Sequence, residues 1–403
     1  MLEMSVSSTP IPHATDPNVA TDPREATGPV ALGRHATIAE RAMGLMLDLG
    51  AERCDPAILQ PAEPFLDLVG EAIRPRLFLS DAGEGETMCL RPEFTVPAAR
   101  TYLEGGGGER RYALAGTVFA RGAARFELPQ AGIEALAHAD RPLADATAMA
   151  DALHMVRQLG VDAVTVVTGD RAIFEAVAAS LGIPAPWVRR LARLFGDANA
   201  LERALSGIAE SEDRNAGETA FGADPSLPVE IVEAAEREDL AALERLIAER
   251  ITATRMGAGA RRAREIAARL LEHRDPGALT LGDRERETLR GFLALDVPFP
   301  GVGDAVRDLG FGGEAVGAAL EAHDGRVAHL RALGADVEAI GFRGSFGRPL
   351  DYYTGLVFEL RALNGTVLAA GGRYDRLLTM LGAPRPVPAV GFAVWLDAFE
   401  GSR

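Results

Sequence analysis

The chain has 403 residues, of which 47% are hydrophobic and 25% charged, as is typical of a globular protein with more than one substructure. Its 58 acidic and 42 basic residues give a formal net charge of −16, and every basic residue is an arginine, because the sequence contains no lysine. A net charge of this sign disfavours general binding to nucleic acid. No apolar run reaches the ~18 residues that a membrane span requires.

The cysteines and histidines give no indication of a metal site. Cys54 and Cys89 are the only cysteines, and the seven histidines are scattered without metal-ligand spacing. We therefore expect a reducing, cytoplasmic environment, no metal and no cofactor. Residues 1–33 are rich in Pro, Thr, Ser, Asp and Ala and have no apolar core of a signal peptide, so we predict a disordered N-terminal tail.

The first regular elements follow this tail. Apolar residues at helical intervals predict a helix over Thr37–Leu49, which Gly50 ends. Ala57–Gln60 favours a strand that is broken by Pro61, the first residue of a P-x-E-P-F segment. Tyr112–Phe119 favours another strand.

A polar cluster lies where Pro92 ends a predicted strand. Pro92 stops the strand, Glu93 stands where its carboxylate could face a ligand ammonium group, and Thr95 is placed to cap the next helix. A purely structural alternative is that Arg91 and Glu93 only pair with each other.

The next predicted strand carries two polar residues around a glycine. Side chains two positions apart share a face of a strand, so Gln130, Gly132 and Glu134 point one way and Ala131 and Ile133 the other. This pattern is suited to the floor of a site for a small polar ligand.

Regular α/β alternation follows, with a helix predicted over Arg141–Gly160, a strand over Val161–Thr168 and a helix over Arg171–Gly182. Residues 184–334 are then mainly helical, with joints rich in Pro and Gly. We predict that this segment is a helical insertion between two parts of one core, residues 34–183 and 335–403. It could present a surface to a partner, or it could be a scaffold that closes over a ligand site.

The last part of the chain contains a strong hairpin signal. Tyr352 and Tyr353 favour a strand, and Asn364-Gly365 between apolar runs is typical of a tight turn, so we predict a hairpin over Leu350–Ala370.

Residues that could bind a ligand surround this hairpin. Arg348 stands at its entrance, and Gly371-Gly372 lets the backbone approach a ligand before a helix that begins near Tyr374. One arginine, three tyrosines and a glycine pair at strand ends indicate a pocket.

Four segments resemble motifs of one enzyme family. The histidine-specific motifs of histidyl-tRNA synthetases, which are class II aminoacyl-tRNA synthetases, are similar to R-P-L-D-Y-Y at Arg348–Tyr353 and G-G-R-Y-D at Gly371–Asp375. The second class II motif resembles C-L-R-P-E-F-T at Cys89–Thr95, and the first, which forms the dimer interface in that family, resembles Pro61–Glu71 more weakly. The resemblance implies an α/β (α+β) fold with an antiparallel sheet flanked by helices, and a homodimer.

The resemblance also implies a histidine site. The family recognises histidine with a Q-x-G-x-E pattern, which occurs here at Gln130–Glu134. On the matching positions, the implied histidine-binding residues are Glu93, Thr95, Gln130, Glu134, Arg348, Tyr352, Tyr353 and Tyr374.

The sequence departs from the family where the family binds ATP. An arginine follows the phenylalanine of the second motif in the family, but Ala120 stands here, and the adjacent Arg121 would face the other side of the strand. In the third motif, Trp395 replaces a glycine and Ala398 replaces an arginine. Because guanidinium groups hold the phosphates during this chemistry, we expect the nucleotide half of the site to be lost.

The chain also ends at Arg403, where the anticodon-binding domain of the family would begin, and we expect that domain to be absent. These departures resemble a family of histidyl-tRNA synthetase paralogues that serve as regulatory subunits of ATP phosphoribosyltransferase, the first enzyme of histidine biosynthesis. The resemblance implies no aminoacylation and no tRNA, with a short catalytic subunit as partner and L-histidine as effector. The alternatives are a truncated histidine-activating ligase and a scaffold with a vestigial pocket.

Overall fold

The computed structural model describes residues 29–69, 71–81, 87–123, 125–205, 228–237, 239–253, 263, 267, 282–348 and 352–399. The helices of this part are α1 (Pro29–Asp48), α2 (Glu63–Val69), α3 (Thr95–Glu104), α4 (Arg141–Gln158), α5 (Arg171–Ser180), α6 (Ala185–Arg193), α7 (Ala198–Leu205), α8 (Val229–Glu236), α9 (Leu240–Ala253), α10 (Asp283–Leu293), α11 (Val302–Asp308), α12 (Glu314–Ala332) and α13 (Leu377–Met380). The strands are β1 (Glu52–Arg53), β2 (Leu59–Pro61), β3 (Leu79–Asp81), β4 (Thr87–Leu90), β5 (Arg110–Phe119), β6 (Glu127–Leu136), β7 (Val164–Asp170), β8 (Asp296–Pro298), β9 (Ile340–Arg343), β10 (Leu356–Ala362), β11 (Val367–Arg373) and β12 (Ala389–Trp395). None of the described helices is long and apolar enough to cross a membrane.

A nine-stranded sheet organises the molecule, in the order β1-β5-β6-β12-β11-β10-β7-β9-β8. Neighbouring strands are antiparallel except for the pairs β1–β5 and β7–β9, which are parallel. The implied sheet flanked by helices is confirmed. A separate three-stranded sheet has the order β2-β4-β3.

The large sheet has two differently covered faces. Its back face packs on α1, α4 and α5, and α12 packs on α4 and α5, in a core that includes Ile133, Met149, Phe358 and Phe392. Its front face packs on α3, α13 and the three-stranded sheet, through Leu114, Tyr102 and Leu377 among others. Alternation along the strands produces this division, because odd and even positions enter opposite layers.

Two helices that flank the site have strong start signals. Asp140 caps α4 by accepting a hydrogen bond from the Leu143 amide at 3.0 Å, and Asp170 caps α5 by accepting one from the Ala172 amide at 2.8 Å. An aspartate N-cap of this kind stabilises a helix by about 1 kcal/mol.

The predicted end of the tail and the predicted start of the hairpin both differ from the structure. Helix α1 starts at Pro29, so the tail does not extend to residue 33, and residues 1–28 lie outside the described residues. The hairpin is formed by β10 and β11, which leaves Tyr352 and Tyr353 before it, while Leu350 and Asp351 lie outside the described part. β-propensity placed the tyrosines in a strand, but tertiary packing buries Tyr352 and partly buries Tyr353 outside any strand.

The predicted limits of the helical insertion do not coincide with a change of core. Trp187, Phe292 and Leu330 lie in the same back-face core as the central strands, and β8 is an edge strand of the large sheet. Within the described residues, α8 and α9 form a small cluster of their own with positions 263 and 267. An amphipathic pattern shows that a helix buries one face, but it does not show which element covers that face. The remainder of 206–281 is outside the described residues, and the prediction there is untested.

Candidate functional site

The front face of the large sheet has a floor of small residues. Register places Gly132 opposite Ala393 and Ala393 opposite Ala370, and it places Glu134 opposite Gly391. A Cβ atom on Gly391 would lie 1.7 Å from Oε2 of Glu134, so only glycine leaves room for that carboxylate. The small residues allow a ligand to lie close to the backbone of the sheet.

A cavity of about 100 Å³ opens above this floor. It is lined by all eight of the histidine-site residues that the sequence implied, which are Glu93, Thr95, Gln130, Glu134, Arg348, Tyr352, Tyr353 and Tyr374. Segments more than 200 residues apart along the chain therefore meet in one site.

Glu134 forms one end of the cavity and is held by two hydroxyl groups. Thr95 donates to its Oε1 at 2.6 Å, and the Tyr374 hydroxyl donates to its Oε2. The side chains of Glu134 and Gln130 share the front face of β6, and both residues are buried, with 5% and 7% exposure. A buried carboxylate with both oxygens engaged is fixed in place.

Glu93 is the second carboxylate at this end. Its oxygens accept hydrogen bonds from the amides of Thr95 at 2.5 Å and Val96 at 2.8 Å, which are the first amides of α3. Glu93 therefore caps the helix, and the prediction that Thr95 would do so is wrong. Thr95 instead links the two acids, because its amide donates to Glu93 and its hydroxyl donates to Glu134.

The alternative that Arg91 and Glu93 only pair with each other is also wrong. Arg91 donates to the carbonyls of Pro56 at 2.7 Å and Thr117 at 2.9 Å, and its guanidinium lies over the Phe94 ring. Arg91 thus links three backbone segments, and Glu93 faces the cavity.

Burial dominates the electrostatics of the acidic end. It raises the pKa of Glu134 to about 8; the hydrogen bonds from Thr95 and Tyr374 oppose this rise, and the charge of Glu93 adds to it. Burial likewise raises the pKa of Glu93, against its backbone hydrogen bonds. Two desolvated carboxylates in one cavity favour a cationic ligand group, which would relieve both the desolvation and the repulsion.

Three tyrosines form a wall of the cavity. The rings of Tyr352 and Tyr353 have centroids 5.1 Å apart, and Tyr352 meets Tyr374 edge to face at 5.9 Å. Burial raises the pKa of each of the three hydroxyl groups above its usual value, so all three remain neutral donors at physiological pH.

A buried ionic network fixes the backbone on both sides of Tyr374. Arg373 binds Asp145 at 2.7 Å and Asp375 at 2.7 Å, and Asp145 in turn lies 3.0 Å from Arg326 of α12. Because these charges are buried and paired, loss of one partner would leave an uncompensated charge. The network therefore ties the position of Tyr374 to α4 and α12.

Arg348 forms the other end of the cavity. Its Nη1 donates to Glu359 on β10, and its guanidinium carbon lies 5.8 Å from the centroid of the Trp395 ring. Its Nε is buried and has no hydrogen-bond partner among the described residues. The cavity is thus acidic at one end and basic at the other.

Comparison with known proteins shows the family to which this chain is related. The family model of histidyl-tRNA synthetase matches residues 25–216 and 218–399. The ATP phosphoribosyltransferase regulatory subunit of Allorhizobium ampelinum is 43% identical over 362 residues, covering 88% of this chain and 94% of the relative. The protein with the same description in Mesorhizobium japonicum is 41% identical over 377 residues, covering 92% and 98%.

The chain belongs to the family of ATP phosphoribosyltransferase regulatory subunits.

Solved structures share the fold of this regulatory-subunit family member. An ATP phosphoribosyltransferase regulatory subunit/histidyl-tRNA synthetase from Bacillus halodurans has a TM-score of 0.63 at 20% identity, covering 97% of this chain and 83% of that one. A histidine–tRNA ligase subunit from Alicyclobacillus acidocaldarius has a TM-score of 0.56 at 23% identity, covering 94% and 95%.

The three positions at which the sequence departs from the synthetase motifs lie in different places, and only Trp395 of the three lines the cavity. Trp395 lines the cavity on the front face of β12, opposite Gln130. Ala398 packs against the back-face core, and Ala120 lies in the turn after β5, with its amide bonded to the Phe126 carbonyl. Neither alanine can supply a guanidinium group for a triphosphate.

Sequence reasoning missed Glu359, the residue that anchors Arg348. The signal was present, because Leu356, Phe358 and Leu360 are apolar and alternate with Val357 and Glu359. A carboxylate on the face opposite a fully apolar series must find a polar partner when it is buried.

Proposed function

We propose that this regulatory subunit senses L-histidine in the cavity between Glu134 and Arg348. The observation that supports the proposal is the opposite charge of the two ends, separated by a floor of small residues. An α-amino acid is a zwitterion, so its ammonium group suits the carboxylates and its carboxylate suits the arginine. The tyrosine wall adds aromatic surface and neutral donors for an imidazole ring.

The proposed partner is a short catalytic subunit of ATP phosphoribosyltransferase, with which the chain forms a hetero-oligomer. The relatives of this chain are named as regulatory subunits of that enzyme. Histidine would bias two states of the assembly, and a difference in affinity of about 1–3 kcal/mol between the states is enough to change activity severalfold. The subunit would act in the cytoplasm, and both of its cysteines are buried free thiols, which suits a reducing compartment.

The chain is proposed to have no ligase activity and no tRNA substrate. Ala120 and Ala398 supply no cation for ATP, and Trp395 lies beside Arg348, where a ligand of the basic end would be placed. The rival is a histidine-activating ligase, which the presence of Arg348 favours. Histidine-dependent ATP–pyrophosphate exchange tests it, and we expect no exchange above background.

A homodimer is part of the proposal. Leu59 on β2 is opposite Leu90, whose amide bonds to the Phe78 carbonyl, so these three side chains share one face of the three-stranded sheet. Leu59 is 47% exposed, and the neighbouring Phe126 is 41% exposed. This apolar face adjoins the segment that resembles the class II dimer motif, and a second copy would cover it. Sedimentation of wild type and Leu59→Arg tests this, with a monomeric variant as the expected result.

Co-expression with a short catalytic subunit tests the main proposal. We expect little activity from either chain alone, activity from the complex, and inhibition of the complex by L-histidine. In a complex that carries Glu134→Ala, activity should remain and histidine inhibition should be lost. Histidine inhibition that is unchanged in this variant would move the effector site away from the cavity.

A further inference from the structure

We infer that Glu359 is a positioning residue that holds the guanidinium group of Arg348 at the basic end of the cavity, and that Arg361 holds Glu359 in turn. The inference rests on the proposed function, because the ligand that Arg348 meets is the amino acid proposed above.

The location of Glu359 follows from the pleat of β10. Leu356, Phe358 and Leu360 are fully buried in the back-face core, so Glu359 projects from the front face. Register places it opposite Ala370, which belongs to the cavity floor. Glu359 is only 8% exposed and therefore needs cationic partners.

Two arginines are the cationic partners of Glu359. Arg348 donates from Nη1 to Oε1 of Glu359, while Arg361 donates from Nε at 3.0 Å and from Nη2 at 2.5 Å to Oε2. Because Arg361 occupies the second oxygen with two donors, the carboxylate is fixed in the orientation that leaves its first oxygen for Arg348. Two guanidinium groups and one carboxylate leave a net positive charge at this end of the cavity.

The backbone below Arg348 is fixed, but its side chain is long. A Cβ atom on Gly347 would lie 2.7 Å from the Phe195 carbonyl oxygen, and one on Gly169 would lie 1.9 Å from the Phe346 carbonyl oxygen. These close contacts place the Cα atom of Arg348, and four further torsions separate it from the guanidinium group. Holding such a side chain in one rotamer costs conformational entropy. The bond to Glu359 fixes these torsions before the ligand arrives, which is preorganisation.

A double-mutant cycle tests whether Glu359 acts through Arg348. Isothermal titration calorimetry would measure L-histidine binding to wild type, Glu359→Ala, Arg348→Ala and the double variant. We expect Glu359→Ala to weaken binding about tenfold and Arg348→Ala to weaken it more, with the double variant no weaker than Arg348→Ala. Fully additive losses would overturn the inference, because they would show that Glu359 acts independently of Arg348.

Histamine, which has the imidazole and the ammonium group of histidine but no carboxylate, separates positioning from general damage. Its affinity should be unchanged in Glu359→Ala, while that of L-histidine falls. An equal loss for both ligands would contradict the inference. Glu359→Gln keeps the size of the side chain and one acceptor for Arg348, so it serves if the alanine variant does not fold, and it should lose about threefold for L-histidine alone.

Glu338→Ala is the matched control, because Glu338 forms an exposed ion pair with Arg331 at 3.2 Å. It should leave both affinities within about twofold of wild type. A wild-type protein that binds no L-histidine would refute the proposed function and the inference together. Binding that depends on Arg348 but not on Glu359 would refute the inference alone.

Discussion

The two ends of the cavity differ in how completely their polar groups are engaged. At the acidic end, both oxygens of Glu134 and both of Glu93 accept hydrogen bonds, all from the start of α3 and from Tyr374. At the basic end, Arg348 lies between Glu359 and the ring of Trp395, and its Nε has no hydrogen-bond partner among the described residues. The acids are thus saturated by donors of the protein itself, whereas the arginine keeps an unpaired donor.

Among the changes considered, removal of the Glu134 carboxylate should cause the largest loss of L-histidine affinity. In Glu134→Ala, Thr95 and Tyr374 lose their acceptor and the cavity loses a carboxylate, so we expect L-histidine affinity to fall at least about a hundredfold in calorimetry. Glu127→Ala, on the exposed end of the same strand, is the control and should bind like wild type. Equal affinities in the two variants would show that the acidic end does not bind the ligand.

A change in the floor should have the next largest effect. In Gly391→Ala, the new Cβ would meet Glu134 Oε2 at 1.7 Å and the Ile133 carbonyl oxygen at 2.9 Å, so the carboxylate must move. We expect about a 30-fold loss of L-histidine affinity. Gly317→Ala, where no atom lies within 4 Å of the added Cβ, should keep full affinity and unfold at a slightly higher temperature.

Variation of pH tests the charge of the acidic end. The pKa of Glu134 is raised to about 8, so below that pH the group is mainly protonated and must lose its proton when an ammonium group binds. Affinity for L-histidine should therefore rise about tenfold from pH 6 to pH 7 and level off above pH 8. Calorimetry in two buffers of different ionisation enthalpy should show proton release near pH 7. In Glu134→Gln, which has no such proton to lose, binding should be weaker and nearly independent of pH.

The same shift predicts a change in stability. A carboxyl group whose pKa is higher in the folded state than in the unfolded state stabilises the fold at low pH, and this contribution is lost as pH rises towards 8. The free energy of unfolding of wild type relative to Glu134→Gln should therefore decrease between pH 5 and pH 8. Chemical denaturation at a series of pH values measures this difference, and a constant difference would contradict the assignment.

The smallest effect is expected at the nucleotide half. Ala120→Arg restores a guanidinium group at the position after Phe119, outside the cavity lining. If the two halves are independent, L-histidine affinity should change less than about twofold in calorimetry. A larger change would show that this turn and the acidic end are coupled.

The residues that line the cavity could be predicted from the sequence, because the motifs that carry the family resemblance are local. The alternation of Gln130, Gly132 and Glu134 predicted a ligand-site floor, and the resemblance to the synthetase motifs implied the full set of eight residues, which line one cavity. The bounds of α4 and α5 were predicted to within about two residues at each end, because caps and periodicity define them. Motifs, helices and strands all depend on neighbours along the chain.

Contacts between residues far apart along the chain could not be predicted from the sequence. The role of Thr95 depends on Glu134, 39 residues away, and that of Arg348 depends on Glu359, which lies on another strand. The helices α10 to α12 were assigned to an insertion, but they belong to the back-face core. In each case a polar side chain or an amphipathic helix has several possible partners, and only the tertiary arrangement selects one.

The position of β12 in the sheet has a consequence for folding while the chain is being synthesised. This strand is the last of the described strands along the chain, yet it lies between β6 and β11 and joins the two halves of the sheet. While the polypeptide emerges from the ribosome, the β5–β6 hairpin and the β7–β10–β11 group can each pair internally, but they have no common strand until residue 395 is free. The edges of β6 and β11 therefore lack their native partner until β12 is complete, and unpaired strand edges can pair with other chains.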